Sequence, residues 1–360
     1  MFSSETSEIA RAVDRAMLLI GGTSLLLLLA ITAVMVFFVV RFRRSRSTVT
    51  SQNDGHLWLE ITWSVVPTII VGWMFFVAYD GFALMRAEPE NPLIVEVTGQ
   101  RWVWSFHYAE EKVDTTELVV PVGRAVKLKL QAPAGDVLHS FFLPEFRVKE
   151  DVVPGKKSWM WFLPEEEGES HIFCAEFCGK DHSKMISRLR VVSEQAYEDW
   201  ILERKAEQNR PVQLEDVVPP VADAEDWRSE AALLAKAEPL YKTFCVSCHG
   251  PAGDGSGMPG VARNFTQAEG WKRSPAEVDV FRTLHAGVPG TPMAAYPNLS
   301  SWQKIALAKY VQGFAPQKPE DTSEAWAALI KELSLDQVAP VQKTLPLERA
   351  MELVAAESKP

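Results

Sequence analysis

The chain has 360 residues, 47% of them hydrophobic and 23% charged, with a formal net charge of −10. The length allows two or more domains, and the acidic balance argues against a nucleic-acid binder, which needs a basic face. Four cysteines are too few for a disulfide-built scaffold of this size, and the apolar mass excludes disorder as the main state.

Two N-terminal segments stand apart from the average. Met17 to Val40 holds no charged residue, and Ile61 to Tyr79 is interrupted only by Pro67. The first, as a helix rising about 1.5 Å per residue, outreaches a hydrocarbon core of about 30 Å. Proline is tolerated in a membrane helix whose neighbours satisfy the freed carbonyl. A secretory signal would be shorter and followed by small residues, whereas Arg41, Arg43, Arg44 and Arg46 follow here. Residues 1–85 are therefore expected to contain two transmembrane helices. The positive-inside rule places the arginine-rich loop in the cytoplasm, and both termini and everything after Asp80 outside it.

Residues 86–192 contain short alternating runs, such as Leu93 to Val97 and Ala125 to Leu130, bounded by Pro, Gly and Asp. This pattern predicts an all-β sandwich or barrel. Residues 193–230 carry 4 basic and 11 acidic groups with three prolines and read as a solvated linker with some helix at its start. Residues 231–314 predict an all-α domain with helices near Ala231–Phe244, Ala276–His285 and Ser301–Phe314, joined by Gly/Pro loops. Residues 315–360 form a tail with helical stretches at Glu324–Leu333 and Leu347–Ala356 and no ligand-type motif.

Within the β segment, Cys174, Cys178, His182 and Met185 fall within twelve positions, and His139 waits at another strand end. Thiolate, thioether and imidazole ligands together select copper over hard cations. Two cysteines allow each sulfur to bridge a pair of copper ions, with one histidine on each metal. A Cys174–Cys178 disulfide and a Cys2His2 zinc site are the alternatives.

This ligand loop, the Asp136-Val137-Leu138-His139-Ser140 run, the Gly99-Gln100-Arg101-Trp102-Val103-Trp104-Ser105 run and the two spans resemble subunit II of haem–copper cytochrome c oxidases over about residues 10–200. The resemblance implies a cupredoxin-like domain holding a dinuclear CuA centre. Cys174 and Cys178 would bridge, with His139 and His182 as terminal ligands; Met185 and the carbonyl of Glu176 would complete the set. It also implies that the Glu176 side chain helps hold magnesium at the boundary with subunit I, that Trp102 admits electrons, and that Glu60 stands at the mouth of a proton channel. Trp102 as a core residue and Glu60 as an interfacial helix-start charge are the plainer readings.

Cys245-Val246-Ser247-Cys248-His249 is a c-type haem attachment motif: two thiols spaced to reach both vinyl groups, and an adjacent histidine for the iron. Met293, in a downstream Gly/Pro loop, is the expected opposite ligand. Met258 follows the attachment helix too closely to cross to the other haem face, and His285 is the remaining alternative. His/Met ligation leaves no open position for substrate. Residues 235–314 resemble class I cytochromes c, and the fusion resembles the caa3 class of oxidases.

The sequence thus predicts a multidomain membrane protein: a two-helix hairpin, a CuA domain and a cytochrome c domain. It would be the electron-uptake subunit of an aerobic respiratory oxidase in a bacterial plasma membrane. Electrons would pass from haem c to CuA and on to the haem–copper site of subunit I, where O2 is reduced with proton translocation. Expected partners are subunit I, further oxidase subunits, membrane lipid, and a donor that is either a cytochrome c or a membrane-bound quinol:acceptor reductase. A positively charged haem segment (8 basic, 5 acidic residues in 231–314) disfavours a strongly basic donor. Rival readings are a CuA-containing nitric oxide reductase subunit and a free-standing membrane electron carrier.

Overall fold

The computed structural model describes residues 7–43, 46, 55–217 and 229–337. The chain divides into two compact units, Met1–Glu110 with Thr115–Glu198, and Glu111–Asp114 with Asp199–Pro360.

The first unit opens with two helices, α1 (Glu8–Arg41) and α2 (Leu57–Arg86), both long and apolar enough to cross a membrane. Ser7 caps α1 by accepting the Ala10 N–H at 3.1 Å, which satisfies one of the donors a helix start leaves orphaned. Pro67 lies inside α2 without ending it. Gly81 of α2 lies opposite Ala12 of α1, where an added Cβ would stand 3.7 Å from the alanine methyl. Three ion pairs fasten the start of α1 and the end of α2 to the β-structure: Arg11–Glu165 at 2.8 Å, Arg147–Asp14 at 2.9 Å and Arg86–Glu150 at 2.8 Å. Such exposed pairs contribute little stability but fix direction. With the start of α1 and the end of α2 both at the β-domain, the two helices run antiparallel.

Ten strands follow: β1 (Leu93–Gln100), β2 (Val103–Tyr108), β3 (Val113–Thr115), β4 (Leu118–Pro121), β5 (Val126–Gln131), β6 (His139–Leu143), β7 (Val148–Val152), β8 (Lys157–Phe162), β9 (Gly168–Cys174) and β10 (Ile186–Val192). They make two five-stranded sheets, ordered β3-β2-β1-β5-β8 and β4-β10-β9-β6-β7. Strict alternation in β1 buries Leu93, Val95, Val97 and Gly99 on one face, as a sheet with one buried face requires. Between the sheets lie Phe106, Tyr108, Leu128, Leu130, Phe141, Phe162, Ile172 and Leu189, all fully buried. The two parallel pairings, β1 with β5 and β4 with β10, need crossover connections rather than hairpins. The expectation of a sandwich or barrel resolves as a sandwich.

The second unit is helical. It takes the later part of α3 (Glu194–Gln208), then α4 (Leu214–Val217), α5 (Glu230–Phe244), α6 (Val246–His249), α7 (Glu277–Ala286), α8 (Ser301–Gln312) and α9 (Ser323–Leu333). Its core joins Leu233 and Ala237 of α5, Val278 and Phe281 of α7, Trp302, Ile305 and Ala306 of α8, and Trp326, Leu329 and Ile330 of α9. Ser300 and Gln303 start α8 with a reciprocal capping box, which satisfies two backbone donors at once.

The division expected along the chain differs from this packing in two places. Val212, in the stretch read as linker, is fully buried in the helical core. Its N–H donates to the Leu335 carbonyl at 2.8 Å, and Trp302 Nε1 donates to the Pro211 carbonyl at 3.1 Å. Residues 323–335, read as tail, close over α5 and α7 through Trp326 and Leu329. The amphipathic faces of these flanking segments carry apolar surface that only the helical unit can bury. The helix read at Leu347–Ala356 lies outside the described residues.

Candidate metal centres

Pairing of β6 with β9 places Phe141 opposite Cys174, so the start of β6 meets the end of β9. His139 opens β6 and Cys174 closes β9. The chain then turns through Ala175 to Asp181, enters a short 3-10 turn at His182–Lys184 and reaches Met185 before β10. Ala175 N–H donates to the Ser140 carbonyl at 2.9 Å, pinning the loop to the strand that bears His139.

The donor atoms converge. Cys174 Sγ and Cys178 Sγ are 3.7 Å apart, and both are free thiols. His139 Nδ1 is 3.9 Å from Cys174 Sγ, and His182 Nδ1 is 3.5 Å from Cys178 Sγ. Met185 Sδ stands 3.8 Å from Cys178 Sγ, and the Glu176 carbonyl 3.2 Å from Cys174 Sγ. His139, Cys174, Cys178 and Met185 are buried. Two sulfurs held face to face, each with its own imidazole at one side, form a soft donor set that suits two copper ions. Every ligand expected from the sequence falls in this cluster.

The protonation states in the metal-free chain are asymmetric. Burial opposes ionisation of Cys174, but hydrogen bonding from His139 and from the loop outweighs it and brings the thiol down to about 6. Cys178 is pushed up to about 12 by burial and by the charge of Cys174 beside it. Metal ligation needs both sulfurs as thiolates, so loading the site releases the protons that the pair still holds.

One contributor escaped the sequence reading. Asp136, three residues before His139 and nearly buried, accepts from Arg101 Nε at 2.7 Å and from the Arg101 N–H at 3.1 Å. Its Oδ1 stands 3.8 Å from His139 Nε2, too long for a hydrogen bond. The spacing in Asp136-Val137-Leu138-His139 was the available signal. Beside it, Trp102 donates its indole N–H to the Cys178 carbonyl at 3.1 Å. Gly179 adopts a φ of +118° with the Trp102 ring where a Cβ would come within 3.2 Å. Trp102 is half-buried rather than a core residue. Glu176 directs its carboxylate toward Lys149, at 3.9 Å. Glu60 sits in the first turn of α2, where Oε1 accepts the His56 N–H at 3.1 Å, as a helix-start charge does.

In the helical unit, α6 presents His249 with its Nδ1 2.9 Å from the Arg263 carbonyl. A carbonyl only accepts, so Nδ1 carries the proton and Nε2 keeps its lone pair, the form an iron ligand needs. Burial lowers the His249 pKa, and Phe265 stacks on the imidazole at 4.2 Å. Neither Cys245 nor Cys248 is in a disulfide. Donors, spacing and ring orientation fit a covalently held haem. Met258 lies back on the attachment helix, with Sδ 3.4 Å from Cys248 Sγ and N–H bonded to the Cys248 carbonyl. Met293 is half-buried in the turn after α7, its carbonyl accepting from Val288 at 2.8 Å. His285 is exposed on α7.

Three family profiles match the chain: cytochrome c oxidase subunit II, transmembrane domain, over residues 3–84; cytochrome c oxidase subunit II, periplasmic domain, over residues 110–192; and cytochrome c over residues 234–314. Cytochrome c oxidase subunit 2 of Alkalihalophilus pseudofirmus is 27% identical over 310 residues, covering 79% of this chain and 82% of the relative. The subunit of that name from Cereibacter sphaeroides is 30% identical over 215 residues, covering 48% of this chain and 69% of the relative. Among solved structures, the periplasmic domain of subunit II of cytochrome oxidase from Bradyrhizobium japonicum is 31% identical, with a TM-score of 0.31, covering 32% of this chain and 96% of that one.

Proposed function

Because the chain belongs to the cytochrome c oxidase subunit II family and carries a C-terminal cytochrome c domain, we propose that it is the electron-uptake subunit of a caa3-type respiratory oxidase, and we assign its working residues as follows. Cys174, Cys178, His139, His182, Met185 and the Glu176 carbonyl would hold the copper pair. Cys245 and Cys248 would hold a haem through their sulfurs, and His249 and Met293 would supply its iron ligands. When bound, the copper pair and the haem each supply a one-electron carrier.

The observation that carries this reading is the convergence of three side chains and one carbonyl on the Cys174–Cys178 pair. The protein's own contribution is to hold that set in place before metal arrives. Ser140 pins the loop, Asp136 and Arg101 brace the His139 side, and Trp102 lies against the Cys178 carbonyl as the electron-admitting residue. His249 is oriented by Arg263 and Phe265. Glu176 offers its carboxylate to magnesium at the boundary with subunit I, the partner that holds the O2-reducing site. Glu60 serves proton uptake at the loop side of α2.

The hairpin lies in a bacterial plasma membrane with its arginine-flanked loop cytoplasmic and the copper and haem units outside. Haem attachment and copper loading both take place on that side. The donor is a cytochrome c or a membrane-bound quinol:acceptor reductase.

Metal analysis of the purified full chain tests the assignment. Two coppers and one covalent haem per chain are expected, with an electron-spin signal delocalised over both copper nuclei. Cys178→Ser should abolish the delocalised signal and leave the haem attached. A single copper, or zinc in place of copper after metal-replete expression, refutes the dicopper centre.

A further inference from the structure

The loop from Arg263 to Trp271 lies beside α6 and closes on itself. Asn264 Oδ1 accepts the backbone N–H and the hydroxyl of Thr266, at 2.9 and 2.7 Å, folding the chain back in an Asx turn. Phe265 N–H donates to the Gly253 carbonyl at 2.7 Å, which holds the loop to the turn that follows His249. Further along, the Gln267 carbonyl takes two donors: the Arg263 guanidinium, and the Trp271 indole N–H at 3.1 Å. Gly270, at a φ of +89°, leaves room for that guanidinium, since an added Cβ would stand 3.0 Å from Nη1.

Three rings run in near-parallel series through this loop. His249 and Phe265 lie 4.2 Å apart at 19°, and Phe265 and Trp271 lie 5.5 Å apart at 23°. The Arg263 guanidinium stands over the Trp271 ring, 5.0 Å from its centroid, within cation–π range. Arg263 therefore meets both ends of the series. Its carbonyl accepts from His249 Nδ1 at 2.9 Å, and its side chain holds the last ring. Moving that carbonyl off the imidazole would also pull the guanidinium off Trp271 and Gln267.

We propose that Trp271 and the Arg263 side chain are positioning residues for the axial histidine: they clamp the Arg263 carbonyl onto His249 and thereby hold the haem potential down. The proposal rests on the assignment of His249 as an iron ligand. It adds that two side chains outside the ligand set govern how strongly that ligand donates. The hydrogen bond a ligating imidazole makes through its other nitrogen fixes the ring and raises its basicity. Such bonding is one of the protein's levers on haem potential, and a more basic imidazole favours ferric iron. A carbonyl on an untied loop would keep that bond only loosely. The ring series and the forked guanidinium keep it in place.

The test uses the full haem-loaded chain and two readings. Redox titration gives the haem potential. Proton electron–nuclear double resonance of the oxidised haem, after timed transfer into D2O, gives the exchange of the His249 ring N–H. A retained low-spin haem spectrum is the folding control. Trp271→Leu should raise the reduced-to-oxidised ratio several-fold at a fixed ambient potential. It should also speed exchange by on the order of tenfold, the scale of one lost neutral hydrogen bond. Trp271→Phe, which keeps a ring against Phe265, should stay nearer the parent in both. Arg263→Lys keeps the charge and the carbonyl but loses the planar fork, and should move both readings the way Trp271→Leu does.

The sign separates a clamp from mere packing. A wetter pocket stabilises the ferric charge and lowers the potential, so a fall in Trp271→Leu overturns the proposal. So does an unchanged potential or unchanged exchange in both Trp271→Leu and Arg263→Lys. If Arg263→Lys matches the parent while Arg263→Gln lowers the potential, the guanidinium acts through its charge alone and there is no clamp. A parent chain whose ferric haem shows no histidine nitrogen coupling refutes the ligand assignment itself, and the proposal with it.

Discussion

The indole N–H of Trp102 donates to the carbonyl of Cys178 at 3.1 Å. One hydrogen bond thus joins a half-buried ring to the residue whose sulfur sits at the centre of the donor cluster. Gly179 makes the contact feasible, since its φ of +118° and missing Cβ clear the space the ring occupies.

Trp102→Phe keeps an aromatic ring and removes the donor. Copper content and the delocalised spin signal should persist, while stopped-flow electron uptake slows. Gly179→Ala should cost about 1–3 kcal/mol from the left-handed backbone alone and displace the ring. Thermal unfolding followed at the copper bands, with the uptake rate beside it, reads both effects.

The two methionines of the helical unit should behave differently. Met258 packs on Cys248 at the attachment helix, so Met258→Leu should leave axial ligation and the haem potential nearly unchanged. Met293→His should lower the potential, because His/Met ligation holds it above His/His. Redox titration of the haem in the two variants checks this.

Trp326 is 2% exposed and belongs to the core made by α5, α7 and α8. Trp326→Ala should destabilise the helical unit by about 3–5 kcal/mol. Val212→Asp, which places a charge at a fully buried position, should be comparably severe. Haem absorbance during denaturant unfolding should move in both variants while the copper bands hold.

Acid should weaken the helical unit through Glu207. Burial raises its pKa, but Lys236, Arg204 and Arg210 outweigh burial and hold it below its ordinary 4.5. A carboxyl depressed in the folded state stabilises fully above its unfolded pKa, and the contribution disappears as pH falls through the folded value. Stability should therefore decline below about pH 4.5, and Glu207→Gln should flatten that part of the profile and lower stability at neutral pH. Thermal scans followed by haem absorbance between pH 7 and 3.5 provide the check.

The sequence declared its chemistry more openly than its boundaries. Cys174, Cys178, His182 and Met185 are legible because one loop supplies all of them, and Cys245 to His249 because attachment demands a fixed spacing. His139 was legible as a candidate at another strand end but not as a neighbour, since its approach to Cys174 depends on β6–β9 pairing across 35 positions. Asp136 was hidden for a related reason: its role comes from Arg101 on another loop. Val212 misled by composition: it sits in an acidic, proline-bearing stretch that reads as a solvated linker, yet a few apolar side chains suffice to seat such a segment on a ready surface. Trp326 lies in a stretch that reads as helix and is one, and only its seat in the helical core was missing. The helices of 231–314 were read to within two residues because each has a capping or Gly/Pro boundary.

The bond from Val212 to the Leu335 carbonyl brings the inbound and outbound strands of the helical unit to one point. The segment from Val212 to Leu335, whose two ends meet, is a cassette. It can be inserted between codons of a host gene, or lifted out, without requiring the host to span any distance. Genetic exchange of this unit for another redox carrier therefore asks only that the newcomer begin and end at neighbouring positions.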